Sequence, residues 1–249
     1  MNGPSFFTKK FFVLSLSLNV IFLLIFGYVY YQPNSIKQFK KIIYRNNNRK
    51  AKPTHKPNYY IQKSHYETLP DTKNEIIFLG DSITDFGRWS EMFQNINIKN
   101  RGIRADRTDG VLERLDEVVS SLPGKVFIMI GVNDLIRKRK ISEIISNYDN
   151  ILKFIQKKSP QTEIFVQSVL PVNEDIRHRL GQARNDDVIR LNADLKELCT
   201  KYGINFIDLF PLFSNDDDKL KEEYTLDGLH PNGKGYLVWK SAIEKYVLD

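Results

Sequence analysis

The sequence predicts an α/β fold: a three-layer α/β/α sandwich on a five-stranded parallel sheet, preceded by one transmembrane helix. Three observations carry that expectation. Five short apolar runs end in glycine or polar residues, amphipathic stretches of helical length separate them, and one long uncharged apolar segment lies near the N-terminus.

In chain order, residues 1–10 form a short tail ending in Lys9 and Lys10, and "FFVLSLSLNVIFLLIFGYVYY" (11–31) follows without a charged side chain. As a helix rising about 1.5 Å per residue it spans roughly 30 Å, the thickness of a bilayer's hydrocarbon core. Tyr28, Tyr30 and Tyr31 suit an interfacial belt. No small-x-small cleavage signal follows, since the first alanine is Ala51, and no cysteine is near for lipidation. The segment therefore reads as an uncleaved anchor rather than a signal peptide. Residues 32–73 are rich in Lys, Arg, Asn and Pro with little apolar periodicity, and read as a basic, solvated stalk.

The folded domain is expected over 74–249. Its strands are "EIIFLG" (75–80), "INIKNRG" (96–102), "KVFIMIG" (125–131), "EIFVQSV" (163–169) and "INFIDLF" (204–210). Amphipathic stretches near 106–121, 141–158 and 184–202, and from Pro231 to about Val247, supply the covering helices.

Composition narrows the functional classes. A chain of 249 residues, 41% apolar and 12% aromatic, can bury a full core and is not a disordered protein. Its single cysteine, Cys199, allows neither a disulfide framework nor a cysteine-based metal site. The net charge of +7 divides unevenly: residues 1–74 hold 12 Lys+Arg and 2 Asp+Glu, whereas 75–249 hold 25 and 28. A nucleic-acid binder would carry its basic patch on the folded domain, so no nucleic-acid partner is expected, and the arm reads as a tether near an anionic surface. Six Lys/Arg between 32 and 50 outnumber Lys9 and Lys10, which by the positive-inside rule points to a cytoplasmic domain. Long domains translocate regardless of charge, however, and a basic stalk suits an anionic envelope, so the domain is expected outside the cell.

In a parallel sheet, ligands bind beyond the carboxyl ends of the strands. There the sequence places Asp81, Ser82 and Thr84 after the first strand, Arg101 and Gly102 at the end of the second, and Asn133 and Asp134 after the third. A long connection after the fifth leads to "DGLHPNGKG" (227–235), where Pro231 suits the first position of a helix, leaving His230 at its cap and Asp227 one turn upstream. A serine hydroxyl is nearly inert without a base, and a histidine base needs a partner to fix its tautomer. Ser82, His230 and Asp227 have those chemistries. Singly, each has a plain structural reading as a helix cap or turn residue.

The blocks "GDSIT" (80–84), "NRGI" (100–103), "GVNDL" (131–135) and "DGLHPN" (227–232) resemble the four blocks of the SGNH hydrolases, also called GDSL lipases and esterases. "NRGIRADRTDGVLERL" and "DGLHPNGKGYLVW" are similar to the branch typified by the platelet-activating-factor acetylhydrolase catalytic subunits. The resemblance covers 75–249. It implies a flavodoxin-like sheet, Ser82 as nucleophile, His230 as general base and Asp227 as its orienting partner. It also implies an oxyanion hole from the N–H groups of Ser82 and Gly102 and the side-chain amide of Asn133. Asp81 and Asp134 are expected to support the site, and no cofactor or metal is implied.

The expected function is hydrolysis of short acyl esters, principally acetyl, through an acyl-enzyme on a polar acceptor such as a glycan. Neither "PVNEDIRHRLGQARND" (171–186) nor "SNDDDKLKEEYT" (214–225) offers the apolar stripe a long acyl chain would need. Arg104, Arg177 and Arg179 are candidate substrate contacts. The alternatives are a lysophospholipid or lipid esterase, an acyltransferase of the same family, a metal-dependent phosphoesterase using Asp81, Asp134, Asp227 and His230, and a tethered binding module without turnover.

Overall fold

A computed structural model describes residues 55–177 and 184–248. The apolar segment 11–31, most of the stalk, and His178 and Arg179 lie outside the described residues. Among those described, no helix is long and apolar enough to cross a membrane.

Five strands form one sheet: β1 (Ile76–Gly80), β2 (Ile98–Gly102), β3 (Lys125–Met129), β4 (Glu163–Gln167) and β5 (Asn205–Ile207). Their order is β2-β1-β3-β4-β5 and every pairing is parallel. β1, β3 and β4 are continuous apolar runs because both of their faces are covered; Phe78, Phe127 and Phe165 stack side by side across them with centroids 5.0 and 4.6 Å apart.

The helices are α1 (Pro57–Thr68), α2 (Ser82–Asp85), α3 (Trp89–Met92), α4 (Thr108–Leu112), α5 (Leu115–Val119), α6 (Val132–Ile136), α7 (Ile141–Lys158), α8 (Asn185–Tyr202), α9 (Phe210–Phe213) and α10 (Gly233–Leu248). Those expected at 141–158 and 184–202 form almost as read, because each carries a regular apolar stripe, such as Ile144, Tyr148, Ile151 and Ile155 on α7.

Three expectations are corrected. The stretch 106–121 is not one helix: it breaks at Arg114, whose guanidinium is fully buried and pairs with the fully buried Asp106. Pro231 does not open the last helix, since it bridges to Thr225 and α10 begins at Gly233.

The third correction concerns the domain boundary. The segment 57–68, read as solvated stalk, is helix α1, and the folded unit begins at His55 rather than Asn74. The helix docks through polar tips instead of an apolar stripe. Tyr59 Oη donates to the Gly110 carbonyl at 2.7 Å, Tyr66 Oη to the Gly102 carbonyl at 2.7 Å, and Lys63 Nζ to the Glu113 carbonyl at 2.8 Å. Tyr59 is its only buried residue, so hydropathy gives no signal there.

Candidate active site

The order β2-β1-β3 reverses direction at β1, and a crevice opens at such a switch point beyond the strand ends. Ser82 follows β1 directly. Asp81 caps α2 by accepting the Ile83 N–H at 2.9 Å, which fixes the turn and leaves Ser82 at the first helical position. The serine is therefore not the cap. Its own N–H has no hydrogen-bond acceptor among the described residues.

Ser82 Oγ lies 2.9 Å from His230 Nε2, and His230 Nδ1 lies 2.7 Å from Asp227 Oδ2. The loop carrying the last two is shaped by Gly228, at φ +76, where a Cβ would also strike the Asn173 carbonyl oxygen at 2.4 Å. Thr225 Oγ1 donates to the His230 carbonyl and accepts the Gly228 N–H, which closes the turn.

Asp227 is surrounded by donors. Oδ1 accepts the N–H groups of Leu229 and His230, and Oδ2 accepts His230 Nδ1 and Arg177 Nη1. Partial burial raises its pKa, but the His230 N–H, the imidazole and the Leu229 N–H outweigh burial and hold it down to about 2. An ionised carboxylate only accepts, so it selects the Nδ1–H tautomer of neutral His230 and leaves the Nε2 lone pair facing the serine hydroxyl.

Asn133, at the start of α6 beyond β3, donates through Nδ2 to Asp81 Oδ2 at 3.0 Å. This uses one of its two amide hydrogens. Burial pushes the carboxyl of Asp81 up to about 7, against the pull of the Ile83 N–H.

Gly102 differs from expectation. Its N–H donates to Asn100 Oδ1 at 2.9 Å, so it is not a free donor. A glycine is needed here because a Cβ would lie 2.3 Å from the backbone nitrogen of Asp85, in α2. Asn100 is a residue the sequence reading missed. Its Nδ2 spans the carbonyls of Thr84, Asp85 and Gly87 at 3.0 to 3.1 Å while its Oδ1 holds Gly102, tying β2 to the serine-bearing turn.

The remaining candidates hold different positions. Asp134 is wholly buried, accepting from Thr108 N, Thr108 Oγ1 and Arg139 Nη1. Arg177 Nη1 donates to Asp227 Oδ2, which places this candidate beside the Ser82–His230–Asp227 relay. Arg104 pairs with Asp85 at 2.7 Å. The carboxylates named for a metal do not converge either; among the described residues no three His, Cys, Asp or Glu are grouped to hold an ion.

The model of the GDSL-like lipase/acylhydrolase family matches residues 78–238, which include Asp81, Ser82, Gly102, Asn133, Asp227 and His230. The chain belongs to this family. Rat platelet-activating factor acetylhydrolase IB subunit alpha1 is 25% identical over 194 residues, covering 74% of this chain and 81% of the relative. The mouse alpha2 subunit is 26% identical over 173 residues, covering 67% and 72%. A solved structure from Streptococcus pneumoniae, described as a platelet activating factor, superposes with a TM-score of 0.72 at 26% identity, covering 87% of this chain and 99% of the other. An acetylxylan esterase from Geobacillus stearothermophilus shares the fold at a TM-score of 0.58 and 16% identity, over 72% and 96%. Membership makes the chain an acylhydrolase-family enzyme with a small ester as substrate.

Within that family frame, two further side chains border the site. The Phe86 ring, at the end of α2, sits 4.9 Å from the His230 ring, and Tyr236 Oη of α10 donates to the Ile83 carbonyl at 2.6 Å. The interleaved polar and apolar pattern around each gave no sequence signal for either contact.

Proposed function

We propose that this GDSL-family chain is a serine esterase that hydrolyses short acyl esters, principally acetyl, on a polar acceptor such as a glycan. The observation that supports it most is the continuous relay from Ser82 Oγ through His230 to Asp227, at 2.9 and 2.7 Å.

In this reading His230 Nε2 takes the Ser82 proton as Oγ bonds to the acyl carbon. The ester C=O becomes an oxyanion, which accepts the Ser82 N–H and the second amide hydrogen of Asn133. The Gly102 N–H reaches it only by sharing its hydrogen with Asn100. Collapse of the oxyanion breaks the bond to the alcohol oxygen, which leaves with the proton from Nε2, and Ser82 stays acylated. Water then repeats the sequence: His230 takes its proton, its oxygen attacks the acyl carbon, and Ser82 departs with that proton as the free acid forms. Each preorganised donor contributes about 10²–10³ in rate. Asp227 stays ionised throughout and stabilises the imidazolium.

The apolar segment 11–31 supports tethering to a membrane, and the basic stalk that follows, suited to an anionic envelope, supports a folded unit outside the cell. A second reading, a lipid or lysophospholipid esterase, is favoured by exposed apolar side chains beside the relay: Phe86, Ile176 and Leu226, the last 87% exposed.

The test is kcat/KM of the full-length chain on p-nitrophenyl acetate, butyrate, octanoate and palmitate, with Ser82→Ala as control. A maximum at acetate or butyrate, abolished in the variant, is the expected result. A maximum at octanoate or beyond selects the lipid reading. Turnover surviving in Ser82→Ala at a tenth of the wild-type rate would overturn the nucleophile.

A further inference from the structure

We propose that Arg104, clamped by Asp85 and Phe86 beside His230, forms a leaving-group subsite that takes a carboxylate or phosphate carried by the departing alcohol. The inference rests on the esterase reading and names the substrate class of the same site.

Three contacts place the guanidinium. Arg104 Nε donates to Asp85 Oδ2 at 2.7 Å. The guanidinium carbon stands 4.6 Å from the centroid of Phe86. That same ring lies 4.9 Å from the His230 imidazole. The cation is thus one ring away from the base.

Only one of the five arginine donors is used. Among the described residues, neither Nη group has a hydrogen-bond partner, and the side chain is 62% exposed. A surface ion pair alone is worth little. Here the pair and the ring together hold a side chain that would otherwise lose much rotamer freedom on binding, so a ligand meets it already ordered. What remains is a planar fork of N–H groups, the shape that grips two oxygens of a carboxylate or phosphate. Asp85 would repel an anion if it stood unpaired, but its charge is engaged through Nε.

The chemistry decides which half of the ester meets this fork. His230 Nε2 delivers its proton to the departing oxygen, so the alcohol must lie against the imidazole, while the acyl group lies toward Ser82 and the oxyanion donors. Phe86 borders the imidazole, and Arg104 lies on the Phe86 ring. They therefore face the alcohol, where a ring such as a sugar can rest beside Phe86 with its acid group on the fork.

The experiment measures kcat/KM of the full-length protein for matched acetyl esters, acetylated glucuronate against acetylated glucose and acetylated glycerol 3-phosphate against acetylated glycerol. The anionic member of at least one pair should be preferred, and that pair identifies carboxylate or phosphate. In Arg104→Gln the anionic-over-neutral ratio should fall about tenfold, as expected for one charged hydrogen-bonded contact. Arg104→Lys, which keeps the charge and loses the fork, should restore only part of it. Phe86→Leu should lower the ratio through a higher KM for the anionic member. A wild type that turns over acetyl esters with no anionic preference, or a ratio unchanged in Arg104→Gln, overturns the subsite and leaves the esterase reading standing. A wild type that hydrolyses no acetyl ester at all overturns both.

Discussion

The two ends of the Ser82–His230–Asp227 relay are held in opposite ways. Asp81 and Ser82 are buried at 2% and 9% exposure, over the buried Asp106–Arg114 pair, whose guanidinium also donates to the Gly80 carbonyl at 3.2 Å. Asn100 ties their turn to β2. Across the crevice, the Asp227 side chain is 42% exposed and its neighbour Arg177 37%. One half of the relay is thus part of the core, and the other is a loop steered by charge. Changes to the residues that brace the first side from below should be felt as stability, and changes on the second as rate.

The largest effect should come from the exposed side. Asp227→Asn leaves the imidazole without its anionic partner, so kcat should drop by roughly 10³–10⁴. The midpoint of thermal unfolding should move by only about 2–4 °C, since asparagine keeps an acceptor oxygen for the Leu229 and His230 N–H groups and only the half-exposed charge is lost. Kinetics and a melting curve on one preparation check this. A melting shift as large as that of a core variant would break the contrast.

Next, Arg114→Met removes one partner of a fully buried pair and strands Asp106, which should cost about 3–5 kcal/mol by denaturant titration. Stability close to wild type would show that the nucleophile half is not braced from below.

Asp81→Asn sharpens the comparison by separating the two effects within one residue. Its folded pKa of about 7 lies above the unfolded 3.8, so the native state binds more protons between these values. Wild-type stability should therefore fall as pH rises from about 4 to about 7, and that slope should be absent from the variant. The rate should nonetheless drop by about 10², because Asn133 turns its amide to meet the new side chain and loses its aim at the oxyanion. An unchanged slope or an unchanged rate would contradict one half of this account.

The smallest effect belongs to α1. Tyr66→Phe deletes one hydrogen bond to the Gly102 carbonyl and should cost about 1 kcal/mol. A chain cut before Asn74 loses all three docking contacts and should unfold at lower denaturant than one cut before His55. Equal stability would return 55–73 to the status of a stalk.

Much of this was legible in advance. β1, β3 and β4 announced themselves as continuous apolar runs, α7 and α8 by their stripes, and Ser82, Asn133, Asp227 and His230 by their places at strand ends and turns. What escaped was written in polar tips. Tyr59 and Tyr66 dock a helix of low hydropathy through hydroxyls, Asn100 bridges three carbonyls, and Arg177 reaches Asp227 across 50 positions of sequence. Such contacts have no period and no spacing, so only the fold discloses them. Gly102 ends β2, where its missing side chain makes room for α2 and its N–H serves Asn100.

The central claim is that Ser82 carries the acyl group between its two owners. Rapid-quench mass spectrometry of the full-length protein mixed with p-nitrophenyl acetate, followed by peptide mapping, tests it most directly. A transient acetyl group is expected on the hydroxyl of Ser82, absent when His230 is replaced by alanine. Steady turnover with no acetyl on Ser82, or with the acetyl on another side chain, would contradict it.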